Sequence, residues 1–335
     1  MASFHDLSQD DQVERLRDVA VAALDAYSLT GARLEFVEYS NNLFFRVDAQ
    51  EGRYALRVCR AGFDLGDLRR ETHWLAALGS DTDLAVAAVL AADDGSLYVE
   101  AGAPGVPEPR YCVLFRWLEG RHLSDELTPA HLHSLGKYVG TLHLHSETYR
   151  PPEELLSEVW TGDTLAEDFP LEPFEAVYGA SDITVIAGAV RRAGETMQAI
   201  GVGRKECGLI HTDLHQMNYM FDGVHARAID FEAPSRMCYL YDIAVTLAYL
   251  RDMPMPMTYE VPRTLYDALA GAYYEGYAEA RALPEQYAER VEILKTLKLL
   301  SVAQWIASSP NIRRMAWTER YVRELPGILR RLLDG

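Results

Sequence analysis

The densest cluster of polar side chains is LIHTDLHQMNYMF, residues 209–221, followed by AIDFE at 228–232. Asp213 and Asn218 form a D-x4-N pair, and His211 lies two residues before the aspartate. Asp230 follows Asn218 by twelve residues, inside an apolar run. Phosphoryl transfer needs this set of groups. One carboxylate accepts the proton of an attacking hydroxyl and orients it, while an amide oxygen and a second carboxylate hold Mg2+ against nucleotide phosphates. Asp213 is the expected base, and Asn218 and Asp230 are the expected metal ligands. His211 is expected to orient the loop by hydrogen bonding rather than to react. D-x4-N alone arises by chance in many chains, but the His, the Asp, the Asn and an Asp-Phe in this order are much harder to obtain by accident.

A chemical rival uses the same segment. His211-x-Asp213-x-His215 could chelate a transition metal, but this leaves Asn218 and Asp230 without a role. The other paired histidines, His131/His133 and His143/His145, stand two apart in helical patterns. Their side chains then point about 200° apart, so neither pair can share one metal. They read as ordinary helix residues.

These groups need a scaffold, and the hydrophobic period outlines it. Residues 8–28 read as a helix capped by Ser8, with Val13, Leu16, Val19, Ala20, Ala23 and Leu24 at helical spacing. Leu43–Val47 and Tyr54–Val58 read as strands of a hairpin joined by DAQEGR. Residues 65–78 return to a helical period, two strands are expected to flank Asp93-Asp94-Gly95, and 111–118 is apolar enough for a buried strand. Beyond Gly120 the pattern is mostly helical: 129–146 with Pro129 just inside a Thr128 cap, then 182–200 and 284–307. One small β insert interrupts it, at 208–211, 219–221 and 226–231. The expected division is a mostly β part over residues 1–117 and a mostly α part over 118–335, with no flexible linker between them.

Residues 209–232 resemble the catalytic and metal-binding segments of the aminoglycoside phosphotransferase and choline kinase-like family, relatives of the protein kinases. That family carries H-G-D-x-H-x-x-N and then I-D-F/W. This chain has His211, Asp213, His215, Asn218 and Ile229-Asp230-Phe231, with Thr212 at the usual glycine. The resemblance implies an α+β, two-lobed, protein-kinase-like fold over roughly residues 30–330. It also implies ATP and Mg2+, and transfer of the γ-phosphoryl to a hydroxyl of a small molecule that is aminoglycoside-, choline- or homoserine-like. It places a basic residue on the third strand, paired to an acid on the next helix. Arg57 and Glu71 stand there, Arg57 in place of the usual lysine. The turn Ser40-Asn41-Asn42 takes the place of a Gly-rich loop over the phosphates. Residues 115–118 would meet adenine through backbone groups. Asp242, in Tyr241-Asp242-Ile243, matches the family's Asp at the start of a helix and is expected as an N-cap. Two other readings share the motifs: a stress-type Ser/Thr protein kinase of bacteria on the same fold, and a nucleotide-binding module without turnover. Arg57 and the missing Gly-rich loop motivate the last of these.

Composition narrows the partners. The 335 residues are 49% hydrophobic and 24% charged, the balance of a globular chain with a core. Fifty acidic against 32 basic side chains leave a net charge of −18. Such a body repels nucleic acid and anionic membrane surfaces. The longest apolar run, Leu84–Ala92, is far short of a membrane span, and MASFHDLSQDDQVERL carries no signal-peptide pattern. Four scattered cysteines fit reduced thiols, so the expected location is the cytoplasm. Between Pro151 and Val190 stand nine acids and no Lys or Arg. A solvated face is the ordinary explanation; a wall for a cationic acceptor is the functional one. No pattern specifies an oligomeric state.

Overall fold

Ser8 starts the first helix by accepting a hydrogen bond from the Asp11 amide. In this computed structural model, which describes residues 4–123, 125–232, 234–256 and 261–334, that helix is α1 (Gln9–Leu24). It buries Val13, Leu16, Val19, Ala20, Ala23 and Leu24, the stripe that the spacing predicts. The strands β1 (Arg33–Tyr39), β2 (Leu43–Ala49) and β3 (Gly52–Val58) follow, then α2 (Leu65–Asp81), β4 (Val99–Ala101) and β5 (Arg110–Arg116). They form one antiparallel sheet in the order β1-β2-β3-β5-β4. Ala49 pairs with Gly52 across the DAQEGR turn, and Gly52 takes φ 151°, a setting that favours glycine. Leu43, Phe45, Val47, Leu56, Val58 and Leu114 join the α1 stripe in one core.

One expected hairpin is absent. The Asp93-Asp94-Gly95 turn does form, with the Ala92 amide donating to the Ser96 carbonyl at 2.8 Å. It does not join two strands. Val86 and Ala88 each bond the carbonyl two residues back, so the run before the turn coils rather than extends. It meets β5 at one bridge, Val89 to Phe115, and β4 pairs with β5 instead.

Two compact units divide the chain. The first holds the chain up to Glu119 together with Pro151–Leu155, and the second holds Gly120–Arg150 and the chain from Leu156 onward. In the second, α3 (Pro129–Thr148) starts at Thr128, whose hydroxyl accepts from the His131 amide. Then come α4 (Leu165–Asp168), α5 (Glu172–Glu175), α6 (Ala180–Ile200), β6 (Cys207–Ile210), β7 (Tyr219–Asp222), β8 (His225–Ala228) and β9 (Ser235–Cys238). The rest is helical: α7 (Tyr239–Arg251), α8 (Arg263–Ala280), α9 (Tyr287–Ser308), α10 (Pro310–Arg313) and α11 (Ala316–Asp334). The β insert is two separate antiparallel pairs, β7 with β8 and β6 with β9. α3 lies close against α8 because glycines let it: a Cβ on Gly136 would stand 2.0 Å from the Tyr273 carbonyl oxygen. Every residue of α7 from Tyr239 to Leu250 is buried, so this helix is the core of its unit.

The architecture is thus α+β, mostly β in the first unit and mostly helical in the second. All four cysteines are buried and none is in a disulfide. Among the described residues no helix is long and apolar enough to cross a membrane.

Candidate active site

β6 ends at Ile210 and β7 begins at Tyr219, so residues 211–218 form a loop between two short strands. The loop is fastened from below by a carboxylate. Asp242 is fully buried in the first turn of α7, and its two oxygens accept from the amides of His211 at 2.8 Å and Thr212 at 2.6 Å. His143 Nε2 lies 3.1 Å from the same carboxylate, and its Nδ1 lies 3.0 Å from the Tyr277 hydroxyl. This corrects the expected N-cap: Cys238 takes that position in α7, and Asp242 caps the loop instead. It also corrects the reading of His143, which is a completely buried partner and not an ordinary helix residue.

Burial alone would raise the Asp242 pKa, but the hydrogen bonds from His143 and the loop hold it below the usual carboxylate value. Burial pushes the His143 pKa down against the pull of Asp242. The pair therefore consists of an anion and a neutral ring.

The loop is strained where the anchor acts. Thr212 takes φ 69°, a costly setting for a β-branched residue. The two hydrogen bonds from the His211 and Thr212 amides to Asp242 over-determine this backbone. His211 turns its ring to Ile229, with Nε2 donating to that carbonyl at 2.9 Å, and the ring lies 4.6 Å from that of Phe231. So His211 joins the loop to the residue after β8. Asn218 closes the loop from within: its Nδ2 donates to the Asp213 carbonyl at 2.9 Å, and its own carbonyl accepts from Ile229. Asp230 follows with φ 63° and an exposed side chain. Left-handed settings at non-glycine residues, here Thr212 and Asp230, cluster at functional sites.

The Asp213 side chain is 44% exposed. Its Oδ1 lies 2.7 Å from Lys298 Nζ, and its Oδ2 lies 3.7 Å from His215 Nε2. Burial lowers the His215 pKa, more than the Asp213 charge offsets. Burial and then the Asp213 charge raise the hydroxyls of Tyr241 and Tyr249, so the carboxylate faces protonated phenols. Sequence reasoning missed Lys298. Its signal was an apolar helical stretch, LKTLKLL, that carries two lysines one turn apart. His211, Asp213 and His215 do not converge as chelators, and among the described residues no three His, Cys, Asp or Glu side chains gather to hold a metal.

The first unit holds the other expected residues. Arg57 on β3 and Glu71 on α2 form a bidentate pair, with NH1 to Oε1 at 2.9 Å and NH2 to Oε2 at 2.6 Å. Each is 1% exposed, so this is no surface decoration. Phe63 and Phe115 rings flank the guanidinium, each 5.4 Å from its carbon. Ser40 and Asn41 sit exposed in the turn from β1 to β2. Asn42 does not: it is buried, and its Oδ1 accepts from the Arg60 amide at 2.9 Å.

The acidic stretch is divided between the two units. Glu153 and Glu154 belong to the first unit, where Glu154 lies 3.7 Å from Arg69. In the second unit Asp168 accepts from Trp160 and Thr164, Asp163 from Gln198, and Asp182 from Arg330.

Comparison with known proteins gives consistent matches. The sequence pattern of the phosphotransferase enzyme family (APH) matches residues 35–289. Among solved structures, a microcompartment-associated aminopropanol kinase is similar at 26% identity and a TM-score of 0.76, covering 95% of this chain and 98% of its own. An amicoumacin kinase solved in complex with AMP-PNP, Ca2+ and Ami has 15% identity and a TM-score of 0.74, with 96% of each chain covered. A choline/ethanolamine kinase family protein from Mesorhizobium loti has 16% identity and a TM-score of 0.65, covering 97% of this chain and 95% of its own. No curated protein sequence matches significantly.

Proposed function

Because the chain belongs to the phosphotransferase enzyme family, we propose that it transfers the γ-phosphoryl of ATP to the hydroxyl of a small amino alcohol. The observation that carries this reading is the loop around Asp213, strained at Thr212, pinned by Asp242 and closed by Asn218. Such fastening presents one half-exposed carboxylate at a fixed place, which a general base requires.

Asp213 accepts the proton of the acceptor hydroxyl. The hydroxyl oxygen bonds the γ-phosphorus as the bond to the β,γ-bridging oxygen breaks, and ADP leaves. The donor set fits a magnesium ion. Asn218 has its Nδ2 committed to the Asp213 carbonyl, which leaves its amide oxygen for a cation, and the Asp230 carboxylate is exposed. Hard oxygen donors few in number, completed by phosphate oxygens, are what Mg2+ takes. When bound, the ion neutralises phosphate charge and helps hold the phosphates in line. In the first unit, Arg57 is the candidate for the nucleotide's phosphates, held by Glu71, with Ser40 and Asn41 as exposed polar groups of the β1–β2 turn.

The amino alcohol rests on the similarity to the aminopropanol kinase and on the net charge of −18.

ADP release with Mg-ATP, measured against small amino alcohols, uncharged diols and a protein mixture, tests the reading. Stimulation by amino alcohols well above the others is expected. Preference for the diols would remove the amino group from the proposal. Stimulation by protein alone would favour the protein-kinase alternative, and no turnover with any acceptor would favour a binding module.

A further inference from the structure

A lysine in the interior of a helical unit is costly unless its ammonium is paired. α9 carries two such lysines, one turn apart, and they do different work. Lys295 is fully buried and makes its bonds at the base of the unit, to Glu292 and the Tyr266 hydroxyl at 2.5 Å and to Asp252 at 3.3 Å. Asp252 also accepts from Arg251 and from Arg331 of α11. This cluster ties α7, α8, α9 and α11 together without any help from Lys298.

Lys298 is 13% exposed and spends its charge elsewhere. Its Nζ lies 2.7 Å from Asp213 Oδ1 and 5.8 Å from the centre of the Tyr249 ring. Among the described residues it is the one Lys or Arg ion-paired with Asp213. His215, at Oδ2, is held neutral by burial and brings no second cation. The two oxygens of the carboxylate are therefore unlike. Oδ1 is committed to an ammonium on a rigid helix, and Oδ2 remains for the acceptor hydroxyl.

We propose that Lys298 is a positioning residue for phosphoryl transfer: it fixes the rotation of the Asp213 carboxylate so that Oδ2 takes the hydroxyl proton. The inference rests on the reading of Asp213 as the base. It adds that the base is aimed by a cation from α9, about 85 residues along the chain. When Oδ2 takes the proton, the carboxylate no longer cancels the ammonium. Positive charge then appears beside Asp213 as negative charge gathers on the oxygens around the transferring phosphorus, the direction that favours the transition state.

Steady-state kinetics of Lys298→Met, Lys298→Arg and Asp213→Asn, with the double variant Lys298→Met/Asp213→Asn, test this. Lys298→Met is expected to cut kcat roughly 10- to 10²-fold, as loss of alignment does, with the KM for ATP within about 2-fold. Lys298→Arg should recover much of the loss, since it keeps the charge. In the Asp213→Asn background, Lys298→Met should cost nothing further. Unfolding midpoints are measured in parallel, and Lys298→Gln replaces Lys298→Met where the latter fails to fold. A slow Asp213→Asn beside a wild-type kcat in Lys298→Met overturns the inference and leaves the base intact. So do multiplicative losses in the double variant, or a kcat that falls only with the folded fraction. A wild-type rate in Asp213→Asn overturns the base reading itself.

Discussion

Glu71 and Asp242 are both buried carboxylates, one in each unit, and they are held by opposite means. Glu71 meets the fork of one side chain, Arg57, in two parallel bonds. Asp242 meets two consecutive backbone amides and a neutral imidazole. The first arrangement fixes a side chain, and a matched exchange of both partners can replace it. The second fixes a backbone, including the unfavourable φ of Thr212, and no exchange of side chains can supply what it does. A catalytic loop whose geometry must hold to a fraction of an ångström calls for the second kind of fastening.

Removing Asp242 should do the most damage. Asp242→Ala leaves two amides and His143 without their acceptor, a loss of roughly 3–9 kcal/mol at 1–3 kcal/mol per orphaned group. Urea unfolding measures it, and activity should disappear with the loop's geometry. Replacing the carboxylate by an apolar residue of any size should give no recovery. A loss under about 1 kcal/mol would show that the loop holds itself.

Arg57→Met should cost roughly 3–5 kcal/mol, because Glu71 is left as an unpaired buried charge. Here the comparison can be broken or sharpened. The double variant Arg57→Met/Glu71→Leu should regain most of the stability, since a buried ion pair is often replaceable by well-packed apolar residues. ATP binding should remain weak in both variants. Stability that recovers together with ATP affinity would reduce the pair to a structural device.

A smaller effect separates the two sites by pH. The folded protein keeps His143 neutral, while the unfolded chain protonates that ring as pH falls below about 6.5. Stability from this group is complete above that pH and declines as pH falls toward the depressed folded value, by at most about 1.4 kcal/mol per pH unit. Asp242, also depressed, adds its own loss only as pH falls below about 3.9. His143→Gln keeps a donor for Asp242 and removes the titration. Urea unfolding from pH 8 to pH 5 should therefore show a shallower acid-side slope in that variant. Some slope should remain, because burial also lowers the pKa values of His215 and His73.

Thr212→Gly should have the smallest effect. Relief of the left-handed strain, worth about 1–3 kcal/mol, outweighs the roughly 0.5–1 kcal/mol of entropy that glycine adds to the unfolded chain. A gain of about 1 kcal/mol in unfolding free energy is expected. A loss would mean that the Thr212 side chain, and not the Asp242 bond, holds the loop.

Much of the fold was legible because its signals are local. The Ser8 and Thr128 caps, the DAQEGR turn and the helix periods are each written within a few residues. The motif residues were named from local spacing in the same way: the structure puts Asp213 and Asn218 in the loop and Asp230 just beyond β8. What escaped was long-range. Asp242 reads as a cap from its neighbours, and only the fold brings it under a loop thirty residues earlier. His143 reaches Asp242 from α3 and Lys298 reaches Asp213 from α9, and neither has a sequence neighbour that announces it. The run at 84–92 failed differently. Its composition suits a strand, but two consecutive tight main-chain turns occupy the amides of Val86 and Ala88, and only Ala88 to Leu90 bond β5.

The central claim is that the fastened loop exists to present Asp213 as a base. Turnover of Asp213→Asn, measured beside its Mg-ATP affinity, tests it most directly. The substitution keeps size and shape and removes the proton acceptor. Nucleotide affinity should stay within a few-fold of the wild type while turnover falls by roughly 10²-fold or more, the scale of a lost general base. A variant that turns over at the wild-type rate would contradict the account.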